Sequence, residues 1–257
     1  MSMPKKYLFI FLIALIKVGF VFAQTPDKYL FSNKIFNLQF LYNYHKPEGN
    51  YAKTFGNYSG IGFGGMLKTK NNWIFSGEGN FLFGSDIRAT SILDQLVTSG
   101  AYISSASGNP GNYIVNMRGY SFYLEGGRIF AWNKKNMNSG ILVKSGIGFL
   151  QHKIGFTLKE NNIPQLDENY AKGYDRLSNG ISLNQFIGYN HQSINRLINF
   201  YIGVAFMQAQ TANRRGFNYD EMKFDKANKI DQSVSVRFGW MIPIYLNTKD
   251  ENEFQFR

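Results

Sequence analysis

Four charged residues interrupt segments that are otherwise apolar or small, and they are the first candidates for chemistry in this sequence. They are Glu78, Glu125, Lys144 and Arg237. Two carboxylates on neighbouring strands repel each other unless cations lie between them. The neutral sum of the group therefore favours a buried salt-bridge cluster, and a gated path for ions is the functional alternative.

Nucleophilic catalysis would need an imidazole beside a hydroxyl group, and the sequence offers few candidates. Its 3 histidines are His45, His152 and His191. A histidine near a rim could pair with Ser85 or Ser178, but no spacing brings them together. The absence of cysteine excludes disulfides, thiolate metal ligands and a cysteine nucleophile. We therefore expect a protein that is not an enzyme and that uses no cofactor or metal.

The elements that position these residues alternate apolar with small or polar residues, which is the period-two pattern of a β-strand. Each segment is about ten residues long, the length that a tilted strand needs to cross a bilayer. The eight segments are 36–44, 61–67, 73–83, 120–130, 141–149, 181–189, 198–206 and 234–244.

The connections between these segments alternate in length. The short ones are 68–72, 131–138 and 191–196, and the long ones are 45–57, 84–118, 158–180 and 211–231. This pattern predicts an all-β fold, an eight-stranded antiparallel transmembrane up-and-down β-barrel with short periplasmic turns and long extracellular loops. Both termini are then periplasmic. A soluble all-β fold is the alternative, but it would bury the aromatic face.

The composition agrees with a barrel whose outer face is apolar. Aromatic residues make up 17% of the chain and charged residues 18%, with a formal net charge of +11. A barrel of eight strands is just wide enough to be filled by its own side chains, so we expect a monomeric barrel with a plugged lumen. Its expected surroundings are outer-membrane lipid and lipopolysaccharide, and nucleic acid is excluded as a partner by the compartment.

The N-terminal segment has the features of a secretory signal peptide. Lys5 and Lys6 precede an apolar run, and small residues stand before Gln24. The predicted division of the chain is a cleaved signal peptide at 1–23, an outer-membrane barrel at 24–246 and a C-terminal tail at 247–257.

The long connection 84–118 contains a predicted short helix. Ser91 is expected to cap its N-terminus, with Asp94 at the third helical position. Ile92 and Leu93 then contribute to one apolar face, which we expect to lie over the barrel mouth.

The last two long connections hold the remaining candidate residues. They are Tyr174, Asp175, Arg176, Arg214, Arg215 and Asp220. Ion pairs such as Asp175 with Arg215, or Arg176 with Asp220, would lock the loops into a cap. The alternative is that the arginines and nearby lysines bind lipid phosphates or a partner.

Several short motifs resemble a small outer-membrane β-barrel family widespread in Bacteroidota. The motifs are QHKI at 151–154, PQL at 164–166, KGYDR and LSNG within 172–180, NFY at 199–201, RR at 214–215, NYD at 218–220 and GWMIPIY at 239–245. The resemblance implies the same fold and location. The family has no established activity, and the resemblance suggests an accessory role in an outer-membrane complex.

Together these observations predict a non-enzymatic integral outer-membrane β-barrel that acts through its loops or its lipid-facing wall. An accessory subunit of an outer-membrane secretion or protein-insertion complex is the first alternative. A rim enzyme acting on lipid A is the second.

Overall fold

Consecutive strands pair along the chain, and the first strand also pairs with the last, so that the sheet closes into a barrel. The computed structural model describes residues 32–100, 102–132, 136–160, 163–193, 197–225 and 227–246 of the chain. The predicted signal peptide and C-terminal tail lie outside these ranges. The eight barrel strands are β1 (Lys34–Gly49), β2 (Tyr58–Lys68), β3 (Trp73–Gly84), β4 (Asn112–Phe130), β5 (Gly140–Glu160), β6 (Ser178–Gln192), β7 (Asn199–Asn213) and β8 (Asn228–Leu246).

All pairs of neighbouring barrel strands are antiparallel, which confirms the predicted up-and-down topology. Closure is made by β1 and β8, which stay in register from Lys34 opposite Leu246 to Gly49 opposite Asp231. We call the two ends of the barrel the loop end, which carries the long connections, and the turn end, which carries the short ones. Within the described ranges, no helix combines the length and hydropathy that crossing a membrane requires.

The strands extend beyond the predicted segments at the loop end. The strand β1 continues to Gly49, β4 begins at Asn112 and β5 ends at Glu160. The long connections are correspondingly shorter than predicted. Backbone pairing needs no apolar side chain, so the ladder continues where the alternation of apolar and polar residues has already faded.

The loops form short helices and one small ladder. They are α1 (Tyr51–Thr54), a 3-10 helix (Thr90–Leu96), a 3-10 helix (Pro164–Leu166), α2 (Glu168–Ala171) and a two-stranded ladder of Phe217–Asn218 with Lys223–Phe224. The helix predicted with a Ser91 cap is wrong in type: it is a 3-10 helix preceded by Ala89, and no side chain caps it. The burial of Ile92 and Leu93 in the core stabilises this segment instead of a cap.

The interior contains two hydrophobic layers. The layer at the loop end includes Tyr51, Phe55, Leu93 and Tyr174 from the loops, packed with the upper strand residues. The layer at the turn end is formed by strand residues: Leu41, Met66, Ile74, Ile129, Leu142, Phe186, Tyr201, Ala205 and Met241. The 3-10 helix at Thr90–Leu96 therefore packs over the loop end of the barrel, which is the position predicted for this segment.

Candidate functional site

The four interior charges lie between the two hydrophobic layers. On β3, Glu78 lies between Ile74 of the layer at the turn end and Leu82 of the layer at the loop end. On β5, Lys144 likewise follows Leu142 and precedes Leu150. Inward residues alternate along a strand, so each charge enters the lumen at the same intermediate depth.

The structure brings all four charged side chains into contact. Lys144 Nζ lies 2.5 Å from Glu125 Oε2 and 3.2 Å from Glu78 Oε2. Arg237 Nη1 lies 2.8 Å from Glu78 Oε1 and 3.8 Å from Glu125 Oε1. Each carboxylate therefore faces both cations. Because the attraction is strong where water is excluded, the arrangement offsets part of the desolvation of four charges.

Neutral polar side chains add hydrogen bonds to the cluster. Glu125 accepts hydrogen bonds from Asn184 Nδ2 at 2.6 Å and from Ser76 Oγ at 3.2 Å. Arg237 Nε donates to Asn43 Oδ1 at 2.7 Å, and Asn43 Nδ2 donates to Asn80 Oδ1 at 2.9 Å. Sequence reasoning did not select these amides, although their inward position in the alternating pattern was a signal that could have found them.

Two aromatic rings lie inside the barrel on the turn side of the cluster. Lys144 Nζ lies 5.6 Å from the ring centre of Phe186 and 5.2 Å from that of Tyr201. The rings meet edge to face at 5.4 Å. Their space depends on glycine: a Cβ at Gly188 would lie 2.6 Å from Phe186 Cζ, and one at Gly239 would lie 2.4 Å from Tyr201 Cε1.

A small void remains on the loop side of the cluster. Its volume is about 10 Å³, and it is lined by Asn43, His45, Asn80, Tyr123, Asn184 and Arg237 among others. A void of this size holds roughly one water molecule. At this point of the described interior, the space between the side chains is no larger than about one water molecule.

The loop candidates form a cluster of their own over the loop end. Arg215 donates from Nη2 and Nε to the two oxygens of Asp175, at 2.6 Å and 2.9 Å. Arg176 donates to Asp220 and also, at 3.3 Å, to Glu221. The bidentate hydrogen bond to Asp175 raises the pKa of Arg215. These contacts join the connection after β5 to the connection after β7.

Tyr174 and Arg214 take different positions in this cluster. The ring of Tyr174 is buried in the hydrophobic layer at the loop end and meets the ring of Tyr219 edge to face at 5.6 Å. Burial raises the pKa of Tyr174. Arg214 lies outside the ion pairs and donates to Asn179 on β6. The six loop candidates thus divide into two ion pairs, one packed ring and one exposed arginine.

A further ionic contact, between the connection after β7 and the start of β8, was not predicted. Lys229 Nζ lies 2.5 Å from Asp225 Oδ2, and Asn213 and Asn218 donate to the same oxygen at 3.4 Å. Burial alone would raise the pKa of Asp225, but the hydrogen bond and charge of Lys229 hold that pKa below its ordinary value. The four-residue spacing of Asp225 and Lys229 was the available signal.

His152 on β5 and Ser178 on β6 are register partners, but among the described residues no hydrogen bond joins a histidine to Ser85 or Ser178, the serines considered for a rim site. His152 Nε2 contacts Asp231 Oδ2 at 2.9 Å, and Ser178 Oγ donates to the Arg176 carbonyl oxygen at 3.1 Å. His45 stacks on Tyr58 at 4.5 Å and lies inside the barrel. The described residues contain no group of three or more side chains suited to hold a metal ion.

The outer wall carries most of the large hydrophobic side chains of the strands. Leu124 and Ile181 are each 72% exposed, and Ile147 is 63% exposed. A groove of about 1450 Å³ runs along this wall, with Gly65, Gly77 and Gly79 among the residues that line it. The face that would be the core of a soluble sandwich points away from the protein.

No protein-family model and no curated protein matches this chain. It is similar in fold to the Neisserial surface protein A, with 10% identity, coverage of 80% of this chain and 96% of that chain, and a TM-score of 0.43. It is also similar to Ail of Yersinia pestis, with 10% identity, coverage of 82% and 99%, and a TM-score of 0.42. For the outer membrane protein OprG of Pseudomonas aeruginosa, the values are 11% identity, 82% and 97% coverage, and a TM-score of 0.37. The resemblance to a Bacteroidota family stays a prediction.

Proposed function

We propose that the chain is an integral outer-membrane β-barrel with a closed lumen, which acts through its loop cap and its outer wall. The observation that carries this proposal is the inverted distribution of side chains. Charged and amide groups such as Lys144 and Asn184 are buried inside, whereas Phe122, Ile147 and Ile181 are exposed on the wall.

The energetics of this distribution favour a lipid environment. Soluble monomers rarely expose a continuous apolar patch of more than a few hundred Å². Here exposed apolar side chains occur on every barrel strand, from Phe40 on β1 to Trp240 on β8. Transfer of this wall from water to hydrocarbon is favourable by about 25 cal/mol per Å² of apolar surface.

The closed interior supports a role that does not require conduction. The two hydrophobic layers and the four-charge cluster fill the barrel at successive levels. The loops contribute Tyr51, Phe55 and Leu93 to the hydrophobic layer at the loop end. A surface for contact with lipid or protein is what such a barrel offers to the outside.

The groove in the outer wall favours a second candidate function, that of a subunit of a larger outer-membrane assembly. Gly77 and Gly79 on β3 present no side chain to the outside, and Gly65 on β2 lies opposite Gly77. Small residues on a lipid-facing surface allow another backbone to approach closely. The occupant would be the apolar wall of another membrane protein.

Flotation and cysteine labelling test the first proposal. The protein reconstituted in phospholipid vesicles should float with them and resist extraction by carbonate. Single cysteines replacing Asn50 or Asn109 on the loop side should react with an impermeant maleimide on intact cells, and those replacing Asn71 or Ser193 on the turn side should not. Failure to float would reject an integral barrel, and the reverse labelling pattern would reject the proposed orientation.

Co-purification in mild detergent tests the second candidate. A subunit of an assembly should bring down a stoichiometric partner, and Gly77→Phe, which fills the groove, should release it. As a matched control, Ile187→Phe lies on the same wall but outside the residues that line the groove. A partner that is retained by Gly77→Phe would show that the groove is not its binding surface.

A further inference from the structure

A pair of like charges faces the outside near the loop end of the barrel. Arg118 on β4 and Lys153 on β5 are direct register partners in the antiparallel ladder. Both side chains are exposed on the outer face. Like charges directly opposite each other destabilise a sheet, so this placement calls for an anion that compensates them.

The described residues supply no such anion. None of the ion pairs that they form includes Arg118 or Lys153. This differs from Lys46 on the same outer face of β1, whose Nζ lies 3.5 Å from Glu48 Oε1. The two cations on β4 and β5 are therefore available to a ligand.

The surroundings orient Arg118 for binding. Its Nε donates to Asn116 Oδ1 at 3.1 Å, and Asn116 Nδ2 donates in turn to Thr157 Oγ1 at 3.1 Å. Gly155 leaves room for this arrangement, since a Cβ there would lie 2.6 Å from Asn116 Oδ1 and 3.1 Å from Arg118 Cγ. This hydrogen bond uses only Nε of the guanidinium.

The position of the pair relative to the apolar wall identifies the chemistry of the ligand. Tyr120 and Phe122 follow Arg118 on the same face of β4, and Phe149 precedes Lys153 on β5. The Arg118 guanidinium carbon lies 6.0 Å from the ring centre of Phe81. Cations one step above such an aromatic belt lie at the level of lipid headgroups.

We propose that Arg118 and Lys153, oriented by Asn116 and Gly155, form a binding site for the phosphate group of an outer-leaflet lipid. Arginine binds phosphate through parallel N–H donors, and lysine adds a compact charge. The inference rests on the proposed function, because it needs the loop end of the wall to meet the outer leaflet.

The test uses the full barrel in uncharged detergent micelles with monophosphoryl lipid A, the same lipid after dephosphorylation, or inorganic phosphate. The phosphorylated lipid should raise the unfolding temperature of the wild type, and the dephosphorylated lipid should not. Each of Arg118→Gln and Lys153→Gln should weaken apparent binding of the phosphorylated lipid by about tenfold, because a charged hydrogen bond is lost. An equal effect of inorganic phosphate would replace the lipid with a free anion and overturn the proposal.

The direction of the stability change in lipid-free micelles distinguishes a binding role of Arg118 from a structural one. In lipid-free micelles, Arg118→Gln should leave stability unchanged or increase it, because it relieves the repulsion by Lys153. Lys46→Gln is the matched control and should not alter the response to phosphorylated lipid. Full retention of that response in the Arg118→Gln, Lys153→Gln double variant would reject the site while leaving the barrel proposal intact. A wild type that does not float with vesicles would overturn both proposals.

Discussion

Arg237 on β8 and Glu78 on β3 meet inside the barrel, with Nη1 and Oε1 2.8 Å apart and both side chains almost completely buried. The strands β1 and β2 separate them in the sheet, so the contact is made through the lumen rather than along the wall. Removing one partner of such a pair leaves an uncompensated charge in the interior of the protein.

The first prediction concerns this charge balance. Arg237→Met leaves Glu78 and Glu125 with a single cation, Lys144, and should lower the free energy of unfolding by about 3–5 kcal/mol. The double variant Glu78→Gln, Arg237→Met removes opposite charges and retains the 2.5 Å contact of Lys144 with Glu125, so its loss should be smaller. Urea unfolding followed by gel mobility measures both. A double variant less stable than Arg237→Met would argue against compensation between these charges.

The second prediction concerns conduction. The packing of Phe186 and Tyr201 beneath the cluster predicts that the wild type gives no steady current in planar bilayers. The double variant Phe186→Ala, Tyr201→Ala removes both rings and should produce measurable conductance. Heat-modifiable gel mobility checks that this variant has folded. Large, stable single-channel steps from the wild type would contradict a closed lumen.

The third prediction concerns the depth of the outer wall in the membrane. Val236 is 54% exposed and lies near the middle of β8, so Val236→Arg should reduce stability by about 2–4 kcal/mol. Ile230→Arg, on the same face of the same strand but near the loop end, should cost about 0–1 kcal/mol. Refolding into phospholipid vesicles measures the difference. Equal effects at the two positions would show that Val236 does not lie in hydrocarbon.

The fourth prediction concerns the loop cap at low pH. A hydrogen bond from Lys223 lowers the pKa of Glu221 below 4.5. For Asp225, burial raises the pKa, but the hydrogen bond and charge of Lys229 lower it by more, so that the pKa lies below its ordinary value of 3.8. A carboxyl group whose pKa is lower in the folded state than in the unfolded state stabilises the fold at pH values above its unfolded pKa. This stabilisation is lost as the pH falls through the folded pKa. The part of the connection after β7 that carries the two carboxyl groups, residues 214–225, should therefore loosen below about pH 4 while the strands persist.

Hydrogen exchange across this pH range, corrected for its intrinsic pH dependence, measures the loosening. Lys229→Gln removes the cation beside Asp225, so its loop should lose protection at a higher pH than the wild type. The strand amides serve as the internal reference. A loop whose protection is independent of pH down to pH 3 would show that these ion pairs do not hold the cap.

The alternation of residue types determined the barrel by itself. Side chains on a strand point to opposite sides in turn, so Phe36 to Tyr44 already separates an apolar face from a polar one. The same rule placed Glu78, Glu125, Lys144 and Arg237 on the inward face. The number of strands, their order and the closed ring follow from the local alternation of residue types and from the lengths of the loops, so these features were predictable.

Tertiary structure decided which residues meet. The contacts of Arg237 with Glu78 and of His152 with Asp231 join distant parts of the chain, and their distances depend on strand stagger and barrel closure. No local pattern carries that information. The short helix at Thr90–Leu96 shows the same limit, because burial of Ile92 and Leu93 against other segments outweighed its own capping signal. Local residue types specify the face that a side chain takes, whereas its partner is specified by the geometry of the closed sheet.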